Sequence, residues 1–181
     1  MKIGMIGLGK MGGNMVLRLL QGGQEVIGFD RSEDALKNIE AQGARAARSM
    51  DDFIAALGDP GGRAVWVMVP AGEITRSVVK DLSERLDEGD LVIDGGNSKW
   101  SDDQGHAEQF AKTGVHFMDC GVSGGVWGKE NGYGLMCGGD DADVERMMPV
   151  FDALRPEGPR EEGFVHAGEV GAGHYAKMVH N

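Results

Sequence analysis

The glycine-rich segment "IGLGKMGGNM" constrains the fold more than any other part of the sequence. A short apolar run, "KIGMIGL" at residues 2–8, leads into it, and an amphipathic stretch near residues 11–22 follows. A run that short is typical of a buried strand, and the apolar spacing of the second stretch is typical of a helix. The segment therefore predicts a strand, a tight glycine turn and a helix, which together begin a βαβ unit.

The same alternation continues along the chain. Further short apolar runs bounded by Gly, Pro or charge predict strands at 25–30, 63–69, 90–95, 115–120, 133–139 and near 163–167. Helix-like stretches lie near 33–42, 50–58, 72–86, 100–113, 141–154 and at the C-terminus. Strands separated by helices indicate right-handed crossovers. We expect an α/β fold with a doubly wound, mainly parallel, Rossmann-like sheet that carries helices on both faces.

Charge and composition exclude several classes of protein. The formal net charge is −11 and no local basic patch offsets it, which argues against a nucleic-acid partner. No apolar run is long enough to span a membrane, so we expect no membrane partner. Cys120 and Cys137 do not form a CxxC motif, and the histidines show no metal-binding spacing. These features predict a cytoplasmic protein with reduced thiols and no metal site.

The glycine turn also predicts a ligand. Gly7, Gly9 and Gly12 fit the Gly-x-Gly-x-x-Gly pattern, in which the glycines allow a tight turn, a close approach of backbone to a pyrophosphate, and close packing of helix on strand. The free N–H groups at the helix N-terminus favour an anion. A purely structural glycine turn is the alternative. The residues that we expect to bind a dinucleotide are Gly7, Leu8, Gly9, Lys10, Met11, Gly12, Asp30, Arg31, Val69, Pro70, Ala71 and Asn97.

Asp30 bears on the choice of dinucleotide. It lies eighteen residues beyond Gly12, at the end of the second predicted strand, where a carboxylate can accept hydrogen bonds from the adenosine ribose. A carboxylate there repels a 2′-phosphate, which favours NAD. Arg31 next to it could instead hold that phosphate, so NADP stays open. Asp30 could also be no more than a solvated strand end or a helix cap.

Two further glycine-rich segments follow predicted strands. They are "DGGNS" at 94–98 and "CGVSGGVWGKENG" at 120–132, and ligands bind at that end of the strands in a doubly wound sheet. Asn97 can bind a hydroxyl or an amide, and Ser123 with Gly124 and Gly125 can bind an anionic substrate. Both segments could instead be simple turns. Ser123 has no evident base partner in the sequence, which argues against a nucleophilic hydrolase.

The sequence ends with "GAGHYAKMVHN", which predicts a helix that opens at a Gly-x-Gly break. Lys177 and His180 are three residues apart and Lys177 and Asn181 are four apart, so one helix face can present an amine, an imidazole and an amide to one ligand. A solvated lysine and a fraying helix end are the alternative.

Together "IGLGKMGGNM", "DGGNS", "GVSGG" and "GAGHYAKMVHN" resemble the N-terminal, coenzyme-binding domain of decarboxylating 6-phosphogluconate dehydrogenase, over essentially the whole chain. The 3-hydroxyisobutyrate dehydrogenases share the first motif and the Ser-Gly-Gly segment, but "DGGNSKW" and "KMVHN" favour the sugar-acid enzymes. The length and Asp30 suggest the shorter, NAD-preferring branch.

The resemblance implies roles for particular residues. Lys177 would be the general base in the conversion of 6-phosphogluconate to ribulose 5-phosphate and CO2. The residues that would bind the substrate are Asn97, Ser123, Gly124, Gly125, His180 and Asn181. Residues 1–170 would form the dinucleotide-binding domain, and 171–181 would begin the helix toward an all-helical domain that this chain lacks. We therefore expect a homo-oligomer for the longer enzyme, and little turnover by this chain alone.

Two other functions fit the same residues. One is a β-hydroxy acid dehydrogenase of the 3-hydroxyisobutyrate type, which does not decarboxylate its substrate. The other is a dinucleotide-binding module without chemistry, in which Lys177 would be dispensable.

Overall fold

A computed structural model describes residues 1–180 and shows an eight-stranded sheet with helices on both faces. The strands are β1 Lys2–Ile6, β2 Glu25–Phe29, β3 Arg45–Ala47, β4 Ala64–Val67, β5 Leu91–Asp94, β6 His116–Ser123, β7 Gly134–Gly138 and β8 Phe164–Gly168. The helices are α1 Lys10–Gln21, α2 Glu33–Ala41, α3 Met50–Ala56, α4 Glu73–Arg85, α5 Trp100–Ala111, α6 Gly128–Asn131, α7 Asp141–Leu154 and α8 Ala172–His180.

The strand order is β3-β2-β1-β4-β5-β6-β7-β8. The first six strands run parallel, β7 is antiparallel to β6, and β8 is parallel to β7. The reversal at β7 has a simple cause, because residues 124–133 contain only a short 3-10 turn and the four-residue helix α6, too little chain for a parallel crossover. The predicted doubly wound, mainly parallel α/β fold is confirmed.

The carboxyl ends of the central strands form one edge of the sheet. Ile6, Val67, Asp94 and Asp119 lie at the same level across β1, β4, β5 and β6. Strand β6 continues four residues further, to Ser123, and this extension pairs with β7. The segments after β1, β5 and β6 therefore meet at this edge, as we expected for the ligand-binding end of the sheet.

The core has two halves, one on each face of the sheet. On one face, Met15 and Leu19 of α1 pack with Phe151 of α7. On the other, Phe53 of α3 packs with Leu82 of α4 and Phe110 of α5. No helix among residues 1–180 is both long and apolar enough to cross a membrane.

The sequence patterns miss strand β3 and the four-residue helix α6. The three residues of β3, Arg45–Ala47, lie at the sheet edge and pair only with β2 among the described strands. A strand that short, half of it facing solvent, has no apolar run to mark it. The other predicted strands and helices are present, and their ends differ from the predicted bounds by a few residues.

Candidate functional site

The glycine turn after β1 is closely packed. Gly7 has a φ of +95°, a conformation that favours glycine, and a Cβ there would overlap the carbonyl of Met68. A Cβ on Gly12 would overlap the carbonyl of Gly7. Both positions therefore need glycine to bring β1, β4 and α1 together.

Gly9 is different, because a Cβ there would meet nothing within 4 Å. Gly9 is the N-cap residue of α1, and no side chain caps this helix. The first turn of α1 therefore faces open space with its N–H groups and the positive end of the helix dipole. This arrangement fits a pyrophosphate, which the open space beside Gly9 would admit and which a larger residue would obstruct.

Three neighbouring cavities follow the carboxyl edge of the sheet. The outer cavity, about 490 Å³, is lined by Ile6, Gly7, Gly9, Phe29, Asp30, Arg31, Met50, Met68, Val69, Pro70, Ile74, Ser77, Val78 and Asp81. The middle cavity, about 370 Å³, is lined by Gly9, Lys10, Met11, Gly12, Met68, Val69, Pro70, Ala71, Gly95, Gly96, Asn97 and Val122. The inner cavity, about 460 Å³, is lined by Asn97, Ser98, Lys99, Trp100, Ser101, His174, Lys177 and Met178.

The cavities share walls. Gly9, Val69 and Pro70 line both the outer and the middle cavity, and Asn97 lines both the middle and the inner cavity. They therefore form one path along the sheet edge, from Asp30 past the N-terminus of α1 to Lys177. An extended ligand such as a dinucleotide suits this path, and we call the outer and middle cavities the coenzyme cleft.

Asp30 lies in the coenzyme cleft and also braces the glycine turn. Its Oδ2 accepts a hydrogen bond from the N–H of Leu8 at 2.6 Å, and its Oδ1 accepts one from the N–H of Ser32 at 2.8 Å. Leu8, which we expected among the coenzyme-binding residues, has a buried side chain and an N–H that is already bonded to Asp30. The other eleven expected residues line one or both cavities of the cleft.

Lys177 and Asn97 meet at the inner end of this path. The Nζ of Lys177 donates to the Oδ1 of Asn97 at 2.6 Å, although the two residues are 80 positions apart. Lys177 is half-buried, and burial lowers the pKa of its amine, which favours the uncharged form. The structure therefore provides an amine of reduced basicity beside an amide at the end of the coenzyme cleft.

Buried carboxylates hold the segments that carry these two residues. Asp94 accepts from the N–H of Gly96 at 3.0 Å and from the hydroxyl of Ser98 at 2.5 Å, which folds the turn that carries Asn97. Asp119 accepts from the N–H of Gly171 at 2.6 Å and of His174 at 2.8 Å, which caps the N-terminus of α8. Both carboxylates are fully buried.

A buried histidine joins this group. Nδ1 of His174 lies 2.6 Å from Oδ2 of Asp103, which is fully buried on α5. Burial raises the pKa of Asp103 to about 6, against the opposing effect of His174. Burial also raises the pKa of Asp119. Desolvation opposes the charged imidazole, but the bond to Asp103 and the nearby carboxylates outweigh it and raise the pKa of His174. We call Asp94, Asp103, Asp119 and His174 the buried acidic cluster.

Three members of the cluster have the chemistry of metal ligands. One ligand atom from each of Asp94, Asp103 and His174 lies within 4.8 Å of the others. Both oxygens of Asp94 and one oxygen of Asp103 already accept hydrogen bonds from protein groups. Hydrogen bonds within the cluster therefore join α8 to β6 and to α5, while Asp94 folds its own turn beside them.

The remaining predicted substrate residues that the structure describes lie at the end of β6, in the turn after it and at the end of α8. Ser123 ends β6, and Gly124 and Gly125 form the turn after it, with φ values of +155° and +50°. None of these three lines the inner cavity, and neither does His180, which is exposed at the end of α8. Asn181 falls outside the residues that the structure describes.

Sequence patterns miss two parts of the site. One is the wall that α4 adds to the coenzyme cleft, through Ile74, Ser77, Val78 and Asp81. The other is the buried acidic cluster. Acidic residues at the end of short apolar runs, as Asp94 and Asp119 are, could have indicated it, because an aspartate there is either at a ligand site or paired inside the protein.

Comparison with known proteins agrees with this geometry. The family described as "NAD binding domain of 6-phosphogluconate dehydrogenase" matches residues 2–156. An NAD(+)-dependent, decarboxylating 6-phosphogluconate dehydrogenase of Haloferax volcanii is 42% identical over 181 residues, which are 100% of this chain and 58% of that protein.

Solved structures show the same fold. The 6-phosphogluconate dehydrogenase of Plasmodium falciparum is similar with a TM-score of 0.88 and 25% identity, over 100% of this chain and 40% of that one. The 3-hydroxyisobutyrate dehydrogenase of Mycobacterium tuberculosis is similar with a TM-score of 0.86 and 29% identity, over 99% of this chain and 58% of that one. The chain thus spans 58% or less of the length of these three proteins.

The family match extends from β1 into the segment after α7 and contains the whole coenzyme cleft. The resemblance noted from the sequence motifs is confirmed, and the chain belongs to the family of NAD(P)-binding domains of 6-phosphogluconate dehydrogenase.

Proposed function

We propose that this chain is the coenzyme-binding part of an enzyme that oxidises and decarboxylates 6-phosphogluconate to ribulose 5-phosphate and CO2. The observation that carries the proposal is the contact of Lys177 Nζ with Asn97 Oδ1 at the inner end of the coenzyme cleft. An amine at that point lies where the reacting end of an extended dinucleotide would meet a substrate.

Lys177 has the properties of a general base. A base must be uncharged to accept a proton, and burial lowers the pKa of this amine. The bound dinucleotide supplies the hydride acceptor. Lys177 accepts the proton of the substrate hydroxyl as that carbon loses hydride, and a β-keto acid results. The ammonium group that Lys177 has become then returns its proton to the oxygen of the new carbonyl as the carboxylate departs as CO2, which leaves an enediol. A further acid must protonate the enediol carbon to give the ketone of ribulose 5-phosphate.

Asn97 positions both partners in this proposal. Its Oδ1 receives the Lys177 amine and so directs it toward the inner cavity. Asn97 also lines the middle cavity, so the same residue borders the coenzyme and the substrate. A residue shared between two ligands fixes the distance between them, which is a large part of what an enzyme contributes to a reaction between two bound molecules.

We further propose that NAD is preferred over NADP. Asp30 presents a carboxylate to the outer cavity, where it can bind ribose hydroxyls and repels a 2′-phosphate. Arg31 lines the same cavity, is exposed, and makes no ion pair with Asp30 in the described structure. The Haloferax relative is named as NAD(+)-dependent, whereas the Plasmodium enzyme is described with NADP+ as its cofactor.

A β-hydroxy acid dehydrogenase without decarboxylation is the second candidate. The similarity to the Mycobacterium 3-hydroxyisobutyrate dehydrogenase favours it, because the fold agrees over nearly the whole chain. The geometry of Lys177 and Asn97 serves either reaction, since both begin with removal of a hydroxyl proton and hydride. Release of CO2 separates the two candidates.

The test uses a longer protein in which this chain is followed by the part that its relatives have beyond it. Lys177→Met should leave dinucleotide binding intact and lower the rate of 6-phosphogluconate oxidation by about 10²–10⁴, the contribution of a positioned general base. Lys80→Met, on the surface of α4, is the matched control and should change neither quantity.

Turnover near the original rate with Met at position 177 would exclude Lys177 as the base. Stoichiometric CO2 with each dinucleotide reduced would support the decarboxylase, and reduction without CO2 would support the second candidate.

A further inference from the structure

The Lys177–Asn97 contact joins two separate segments. Asn97 lies in the turn between β5 and α5, and Lys177 lies on α8. Either residue could move away if its own segment shifted by about one ångström, which is enough to disturb catalytic geometry. Something in the structure must therefore fix α8 relative to the Asn97 turn.

Helix α8 is most deeply buried at its N-terminal end. Gly173 and His174 are its buried residues, and a Cβ on Gly173 would overlap the carbonyl of Met136 on β7. Further along, Tyr175, Met178 and Val179 are exposed. Lys177 also lies against Gly121 of β6, and Tyr175 packs edge-on against Trp100 of α5, so these contacts add to those of the buried first turn.

The buried acidic cluster supplies the polar contacts of the first turn of α8. Asp119 fixes the first turn of α8 to β6 through two backbone N–H groups. The Asp103–His174 bond then ties α8 to α5, only six residues beyond Asn97. This bond therefore connects α8, which carries Lys177, directly to α5, the helix that follows Asn97.

Stability alone is a weak explanation for this arrangement. Asp94, Asp103 and Asp119 are fully buried, and each buried carboxylate has a large desolvation cost. The charged or titratable groups around His174 are these three aspartates, His106 on α5 and Lys177 on α8 itself. Apolar side chains of similar size often stabilise a core as well as a buried ion pair does, so the benefit of this one lies in the geometry that it fixes.

We propose that Asp103 and His174 form a positioning pair that holds Lys177 against Asn97. The pair does not touch the reacting atoms. It acts through α8. Its importance for catalysis rests on the proposed function, in which Lys177 is the base that accepts the hydroxyl proton. The consequence is that weakening the pair should release Lys177 toward solvent, where the pKa of its amine should rise to that of an ordinary lysine.

The experiment measures the pKa of Lys177 in the 181-residue chain by NMR of labelled lysine side chains, with the Lys177 signal assigned by its loss in Lys177→Met. His174→Phe removes the hydrogen bond and keeps a flat ring, and Asp103→Asn removes the charge and keeps the size. Each should raise the pKa of Lys177, His174→Phe by about one unit or more. His174→Gln keeps an N–H donor for Asp103, so the pKa of Lys177 in this variant should lie between its value in the original chain and its value in His174→Phe.

Asp143→Asn is the matched control. Asp143 on α7 pairs with His116 of β6 at 2.8 Å, the same chemistry at a distance from α8. This variant should lower the unfolding temperature without moving the pKa of Lys177. If His174→Phe does not fold, Asp103→Asn and His174→Gln carry the test.

An unchanged pKa of Lys177 in folded His174→Phe or Asp103→Asn would overturn the proposal and leave the pair a structural element only. That result would not touch the proposed function, which fails instead if Lys177→Met in the longer protein keeps its turnover. In that longer protein, the positioning pair predicts a fall in kcat of about ten- to a hundredfold for Asp103→Asn, with the KM for dinucleotide unchanged.

Discussion

Asp30 has two functions in this structure, and they can be separated by substitution. It lines the outer cavity, and its two oxygens also accept hydrogen bonds from the N–H groups of Leu8 and Ser32. Asn at position 30 keeps one acceptor oxygen for the glycine turn and loses the negative charge that ribose hydroxyls bind and a 2′-phosphate avoids.

We therefore expect Asp30→Asn to weaken NAD binding by about 1.5–3 kcal/mol and to relax the preference over NADP. Calorimetric titration with both dinucleotides measures each change. Asp34→Asn, exposed on the first turn of α2, removes the same charge from the neighbouring surface and should leave both affinities as they are. Tighter binding of NADP than of NAD by the unaltered chain would show that the carboxylate does not select the coenzyme.

Among single residues, the sequence predicts those whose roles depend on local spacing. Gly7, Gly12 and Asp30 belong to a motif of fixed spacing around one turn, and the structure places all three at that turn. The Asp103–His174 bond joins positions 71 apart, and no local pattern encodes such a pairing because it exists only once α5 and α8 lie side by side. His174 therefore reads from the sequence as an ordinary packed histidine.

Alanine substitutions of the glycines at the start of α1 separate their effects on stability from their effects on dinucleotide binding. Gly12→Ala should destabilise the fold by about 1–3 kcal/mol, because the methyl group overlaps the carbonyl of Gly7. Gly13→Ala should be neutral or stabilise it by about 0.5–1 kcal/mol, since its Cβ meets only Leu8 O at 3.4 Å and alanine favours the helix. Gly9→Ala should leave stability unchanged and weaken dinucleotide binding, because its methyl group enters the coenzyme cleft.

Urea unfolding and calorimetric titration of the three variants measure both quantities. Equal loss of stability in Gly12→Ala and Gly13→Ala would mean that any added side chain destabilises α1, whatever it contacts. Full binding by Gly9→Ala would place the ligand somewhere other than the N-terminus of α1.

Elements with a strong pattern could be predicted, and elements that depend on their neighbours could not. The buried strand β5, with its continuous apolar run, is such a predicted element. Strand β3 is defined by its hydrogen bonds to β2, and its sequence "RAA" has no pattern of its own. The direction of β7 follows from the length of the preceding connection, which becomes clear only when its short helix α6 is known.

The molecule as a whole combines a large negative charge with buried groups that bind protons more tightly when folded. The pKa values of His174, Asp103 and Asp119 are all raised, that of Asp103 to about 6. A raised pKa contributes stability that is fully present below the unfolded value and is lost as the pH rises through the folded value. The net charge of −11 at pH 7 acts in the same direction, because acidification reduces self-repulsion.

Burial lowers the pKa of His106, which acts in the opposite direction, but the three raised groups and the net charge outnumber it. We therefore expect the free energy of unfolding to be greater at about pH 5.5 than at about pH 8. Below the ordinary carboxyl range the trend should reverse, because Asp90 and Asp152 have lowered pKa values and their contribution is lost as the pH falls through them. Urea unfolding across this range gives the profile. Asp103→Asn should flatten the slope between about pH 5 and 7, and a stability that rises steadily toward pH 8 would refute the assignment of raised pKa values to the cluster.

One crystal structure of this chain with NAD tests the central claim most directly. The account predicts one dinucleotide along the coenzyme cleft, with its adenosine ribose on Asp30, its pyrophosphate at the N-terminus of α1, and its nicotinamide beside Asn97 with Lys177 within reach. A nicotinamide that lies away from Asn97 and Lys177, or a dinucleotide bound elsewhere on the chain, would contradict both the path of the coenzyme and the role of Lys177 as its catalytic neighbour.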